Sequence, residues 1–232
     1  MNAALLRVRD MVAAGGAHQV VTLNAEMAVL ATHDADFGAV VRAADMVVPD
    51  GAGVVWAAKV LGRRLLARVA GYDLMLGIAG LAAERGESVF LLGGKPGIAD
   101  MAGEALRARY PGLRMAGTHH GYFAEDESHA IVDAVKRSGA TYLFVALGAP
   151  KQEKWIAEHK AALLSSGVRV CMGVGGSLDV LAGVVARAPD WIGRMGLEWL
   201  YRLVTQPRRA RRMFALPRFV YAVLLARLRG HD

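Results

Sequence analysis

The chain has 232 residues, of which 54% are apolar and 21% charged. That composition supports one large α/β domain, alone or with an appendage, and excludes an intrinsically disordered chain. The formal net charge of +7 implies an anionic partner, and the single cysteine, Cys171, excludes an intrachain disulfide. Near the start, Arg7, Arg9 and Asp10 interrupt the apolar residues, so no secretory signal is expected there. Apolar, β-branched runs then recur: HQVVTL (18–23), DMVVP (45–49), SVFLLG (88–93), LRMAG (113–117), TYLFVALG (141–148) and VRVCMGVG (168–175). Stretches of helical period, among them 97–109, 125–137 and 150–164, lie between them. This alternation predicts βαβ units and a mainly parallel sheet with helices on both faces. Cys171 reads as a small buried residue of the last strand, in keeping with a reducing compartment.

After Ala186 the strand pattern ends, which predicts a main domain over 1–186 and a helical, arginine-rich appendage over 187–232. The chain has 28 basic and 21 acidic residues, and ten arginines and three acids fall in the appendage. The appendage therefore carries the whole excess charge while the body is neutral. A membrane surface, a phosphate-bearing ligand or nucleic acid would each suit such a tail. Between Pro217 and Arg229, Phe219, Val220, Val223, Leu224 and Leu228 recur at helical spacing. A helix of that length spans about 20 Å, short of the ~30 Å hydrocarbon core of a bilayer. It can lie in a membrane interface, or dock on the body or on a second subunit.

Ligands of open parallel sheets bind beyond the carboxyl ends of the strands, so the residues that follow each run are the candidates. They are Thr22 and Asn24 of TLNAE, Asp50 of PDGAG, Gly93 and Gly94 of GGKPG, the pair His119-His120, Gly148, Lys151 and Gln152 of GAPKQE, and Asp179 of GGSLD. Polar or glycine residues after every run point to one shared cleft. Each also has a plainer reading. Asn24 can cap a helix starting at Ala25, and Asp50 can serve a turn. Lys151, Glu153 and Lys154 can be solvated first-turn residues. HDAD (33–36) precedes a helical stretch and follows no strand, so it reads as a helix start. GGKPG lacks the ending of a P-loop, and GVGGS lacks the G-x-G-x-x-G spacing of a dinucleotide site. His119-His120 has no partner at metal-ligand spacing.

The stretches TLNAEM, VVPDGAGVV, RVAGYDLM, FLLGGKPG, GTHHGYF, GAPKQEKWI, GVGGSLDVLAG, GLEWLYRL and QPRRARR occur in an order that resembles the WecG/TagA/CpsF family of bacterial glycosyltransferases, over about residues 20–212. The resemblance implies a Rossmann-like fold and inverting transfer of a sugar from a UDP donor to a polyprenyl-diphosphate-linked sugar at the inner membrane face. That sugar would be N-acetylmannosamine, its uronic acid or glucose. No cofactor, no built-in metal and no nucleic-acid partner are implied, and a homo-oligomer stays open.

By that resemblance Asp50 is the general base, with Thr22 and Gln152 beside it in catalysis. Asn24, Arg68, Asp179, Gly93, Gly94, Gly148 and Lys151 would bind substrate. Arg202, Arg209 and Arg212 would complete the site over the diphosphate. The chemistry agrees: glycosyl transfer needs a proton acceptor and a means of absorbing charge on the departing nucleotide, and guanidinium groups bind phosphate bidentately. The GAPKQE helix start is expected to turn its amide and charged side chains into the cleft, where the dipole favours an anion. Two other readings are an NAD-type oxidoreductase, disfavoured by the missing glycine fingerprint, and a non-catalytic membrane scaffold that keeps the fold.

Overall fold

The computed structural model describes residues 1–63, 68–195, 198–205 and 215–230. Six parallel strands form one sheet in the order β2-β1-β6-β5-β3-β4. They are β1 (His18–Leu23), β2 (Met46–Pro49), β3 (Ser88–Gly93), β4 (Arg114–His119), β5 (Tyr142–Ala146) and β6 (Val170–Gly173). All six expected runs are strands. β6 differs most, covering only 170–173 of VRVCMGVG, while β4 starts one residue later than LRMAG and runs two further, pairing Thr118 and His119 with Leu91 and Leu92 of β3.

Alternation along the strands sorts the core into two layers. Val20, Val89, Leu91, Tyr142, Phe144, Val170 and Met172 face one side. There they meet helices α1 (Asn2–Ala14), α5 (Gly71–Arg85), α6 (Ile98–Arg109) and α9 (Ser177–Leu181). Phe90, Leu92, Leu143, Val145 and Cys171 face the other side, under α7 (Ser128–Ser138) and α8 (Lys151–Leu164). With both faces covered, the strands read as near-continuous apolar runs. Truncating a fully buried residue such as Ile156 or Leu163 to alanine should cost about 2–5 kcal/mol. Cys171 is buried, as expected, and burial pushes its thiol up to about 12.

Two short helices, α2 (Ala25–His33) and α3 (Ala35–Ala43), connect β1 to β2. Asn24 Oδ1 accepts the Met27 N–H at 2.9 Å and Asp34 Oδ1 accepts the Phe37 N–H at 2.9 Å, so each starts its helix in the usual capping manner. HDAD is thus a helix start, as its sequence suggests. Asp34 also pairs with Lys154 at 2.8 Å, and that hydrogen bond is the main reason its carboxyl lies below the usual range.

Beyond α4 (Ala52–Val60) and the strands come α10 (Asp190–Arg194), α11 (Glu198–Thr205) and α12 (Ala215–Leu228). The expected tail helix is α12, beginning two residues before Pro217. Phe219 and Val223 bury against Ala25 and Val29 of α2 and Ala57 of α4, so this helix docks on the body. Its other side leaves Val220, Tyr221, Leu224 and Leu228 exposed. No described helix is long and apolar enough to cross a membrane.

Candidate active site

The carboxyl ends of the strands bring the candidate residues to one edge. β1 and β2 are neighbours in register, with Thr22 beside Val48 and Leu23 beside Pro49. The pairing continues one step further, because the Asp50 N–H donates to the Leu23 carbonyl at 2.8 Å. Asp50 is therefore held, half-buried, next to Asn24 in the adjoining strand end. Thr22 is buried, and a side chain at Gly71 would come within 3.2 Å of its hydroxyl. The start of α5 thus rests directly on Thr22.

Arg68 reaches the same corner. The Val69 N–H donates to the Pro49 carbonyl at 3.0 Å, which lays residues 68–70 along the end of β2. Arg68 Nη1 donates to the Gly193 carbonyl of α10 at 2.9 Å. A second tie stands close by: Arg187 pairs with Asp73 at 2.7 Å and lies over the Tyr72 ring at 4.7 Å. The region after β6 is thus fastened to the start of α5, beside Asp50. No local pattern announces this, since both ties join residues more than 100 positions apart.

Across the sheet, β3 leads outward to β4 while β5 leads back to β6. The direction of winding reverses between β3 and β5, the usual place for a crevice in such sheets. Gly93 and Gly94 end β3 there. A Cβ on Gly93 would overlap the Ala146 carbonyl, and the Gly94 N–H donates to that carbonyl at 3.2 Å. These glycines let the two strand ends touch, and that contact occupies the Gly94 N–H.

The GAPKQE segment starts α8 at this edge, as expected, but its side chains are arranged differently from the expectation. Gln152 is buried, and its amide oxygen accepts the N–H groups of Gly148 (3.2 Å) and Gly175 (3.0 Å). Its nitrogen donates to Glu153 Oε1 at 2.7 Å. The amide therefore staples the loop after β5 to the loop after β6. Glu153 is fully buried rather than solvated. Its place in the first helical turn favours an anion, yet burial outweighs that and raises its carboxyl above the usual range. Lys151 is exposed, with Nζ 5.2 Å from the centre of the Phe123 ring.

Asp179 lies on α9, which follows β6 directly, and is half-buried. His119 Nδ1 lies 2.7 Å from the His120 carbonyl and its ring leans on His120 and Phe123. Arg202 belongs to α11, and Arg209 and Arg212 lie outside the described residues.

The ends of β2 and β5 are separated by β1 and β6, three strand spacings or roughly 14 Å. Asp50 and Gln152 therefore lie at separate parts of the edge. The edge thus offers a carboxylate, a hydroxyl, an amide and a guanidinium at one end, and a glycine-lined crevice with a helix start at the other.

The open, all-parallel sheet with its ligand-type edge is a Rossmann-like α/β fold, and the comparisons with known proteins say which activity it carries. The glycosyl transfer family described as WecG/TagA/CpsF matches residues 1–232. Relatives named N-acetylglucosaminyldiphosphoundecaprenol N-acetyl-beta-D-mannosaminyltransferase are similar over most of their length. The one from Bacillus spizizenii is 37% identical over 205 residues, covering 88% of this chain and 78% of its own. The Bacillus subtilis protein is 36% identical over 203 residues, covering 88% and 77%. The one from Staphylococcus aureus is 37% identical over 209 residues, covering 90% and 80%. The chain belongs to the WecG/TagA/CpsF family and is a glycosyltransferase.

Proposed function

We propose that the protein moves an N-acetylmannosamine-type sugar from a UDP donor to a sugar carried on a polyprenyl diphosphate, working on the inner face of the cytoplasmic membrane. The acceptor is the one in the names of the relatives, and it belongs to the synthesis of a surface polysaccharide or teichoic acid. The reaction is a single displacement with inversion and without a metal. Asp50 takes the proton of the acceptor hydroxyl. That oxygen then bonds to the anomeric carbon opposite the nucleotide, and the bond to UDP breaks.

Thr22 and Asn24 line the sugar site beside Asp50, while Asp179 and the crevice at Gly93, Gly94 and Gly148 receive the nucleotide end. Lys151 adds a cation there. Gln152 acts through the two loops it joins. Arg68, together with Arg202, Arg209 and Arg212, meets the negative charge on the departing diphosphate, a role suited to permanently charged, bidentate groups. Residues 1–186 carry the sheet, and 187–232 act as the appendage that completes the site. Arginines in that tail would each gain about 1 kcal/mol beside an anionic leaflet.

The observation that supports this reading most is the bond from Asp50 to Leu23, which sets a carboxylate beside Thr22, Asn24 and the Arg68 segment. The test is a panel of UDP-sugars offered with a lipid-diphosphate-linked N-acetylglucosamine, with EDTA present. Transfer from UDP-N-acetylmannosamine, undiminished by EDTA and with an inverted product, is expected. No transfer from any UDP-sugar would overturn the reading.

A further inference from the structure

Directly after Asp50 an apolar groove opens between three helices. Gly53 and Trp56 of α4 form one wall, Trp199 of α11 another, and Phe219, Val220 and Leu224 of α12 the third, around about 790 Å³. None of the described residues lining it carries a charge. Phe219 at 8% exposure forms part of the floor, whereas Trp56, Trp199, Val220 and Leu224 are 37–47% exposed. Gly53 keeps the floor close: a Cβ there would lie 3.2 Å from the Ala25 Cβ and 3.7 Å from Phe219 Cε1. A solvent-facing concavity lined by two tryptophans and further apolar side chains is unfavourable to leave in water.

We propose that this groove seats the isoprene units nearest the diphosphate of the acceptor, so that the lipid chain itself helps to place the acceptor sugar at Asp50. The proposal rests on the reading that the acceptor is lipid-linked, and it assigns a site for the chain. Two observations select this occupant. The groove begins at Ala52, two residues after the proposed base, so whatever fills it lies close to Asp50. A substrate's own tail would lie there whenever its sugar stands at Asp50. The groove is also concave, with Phe219 of α12 in its floor, whereas a flat bilayer surface would reach most readily an outward residue such as Leu228, which does not line it.

The test compares acceptors whose N-acetylglucosamine diphosphate carries either a prenyl or a farnesyl chain. With the wild type, KM should fall about tenfold or more from prenyl to farnesyl, because several more methylene-sized groups leave water. In Val220→Asp and Leu224→Asp, both exposed positions where folding should tolerate the change, that ratio should collapse toward one. Circular-dichroism melting checks that both variants fold. A direct readout is the fluorescence of Trp56 and Trp199 on adding farnesyl diphosphate. A blue shift in the wild type, absent in Leu224→Asp, is expected. Equal KM values for the two acceptors, or an unchanged ratio in the variants, would overturn the proposal. So would variants that lose only vesicle sedimentation, which would mark a bilayer contact, or that only change mass in light scattering, which would mark a subunit interface. Failure of all transfer with the fluorescence shift intact would strike the proposed activity while leaving the groove an isoprenoid site.

Discussion

Gln152 and Glu153, neighbours in the first turn of α8, are hydrogen-bonded to each other at 2.7 Å, and both are buried. The bond decides which way the amide points. Its oxygen must face Gly148 and Gly175, because both offer N–H groups, and its nitrogen must face a carboxyl oxygen. Glu153 Oε2 has no hydrogen-bond partner among the described residues, which suits a neutral acid better than a carboxylate.

A pH-dependent stability follows from that pair. Burial raises the Glu153 carboxyl above its usual range. An acid raised in the folded state contributes its full stability below its unfolded pKa, about 4.3, and loses it as pH climbs toward the folded value. Glu153→Gln keeps an acceptor for Gln152 and cannot ionise. The variant should therefore melt higher than the wild type near pH 8, with the difference vanishing near pH 4. About 2–4 °C is expected for each kcal/mol of relief in a chain of this size. Thermal melts of both proteins across that range check it.

Gly173 makes room for the same pair. A Cβ there would lie 2.5 Å from Gln152 Nε2 and 2.7 Å from Glu153 Oε1. Both neighbours are buried, so neither can swing aside into solvent. Gly173→Ala should cost about 1–3 kcal/mol, measured as a lower denaturant midpoint with an unchanged slope. Transfer should fall as well, because the displaced amide is what joins the loops after β5 and β6.

Much of this architecture was legible in the sequence, and the division is physical. Apolar, β-branched runs and helical stretches are local signals, so the strands, the helix start at HDAD, the burial of Cys171 and the tail helix could be read directly. Strand order could not, because it depends on which ends meet. The orientation of Gln152 was equally hidden, since one of its partners, Gly175, lies 23 residues away. Glu153 looks like a solvated first-turn residue until β6 is packed beside it. The ties from Arg68 to Gly193 and from Arg187 to Asp73 join the tail to the start of α5, and charge counting alone revealed only that the tail wants an anion.

Asp50→Asn tests the proposed base. The amide has nearly the same shape, and the backbone bond from residue 50 to Leu23 does not involve the side chain. Folding should therefore survive, with a melting temperature close to the wild type. Transfer should drop by about 10²–10⁴, the usual contribution of a positioned general base, with KM for the donor little changed. Near-normal turnover would remove Asp50 from the chemistry.

Asn24 has two possible duties that a pair of substitutions can separate. Its amide oxygen caps α2 by accepting the Met27 N–H, while the cap makes no use of its nitrogen. Asn24→Ala removes both ends and should cost about 1 kcal/mol of stability. Asn24→Ser keeps a capping oxygen at nearly the same place but has no amide nitrogen, so it should melt like the wild type. If the nitrogen meets the substrate beside Asp50, the serine variant should lose activity by about tenfold, roughly the worth of one hydrogen bond to a polar ligand. The loss should fall on KM for one substrate more than on folding. Full activity in a serine variant of normal stability would confine Asn24 to its helix.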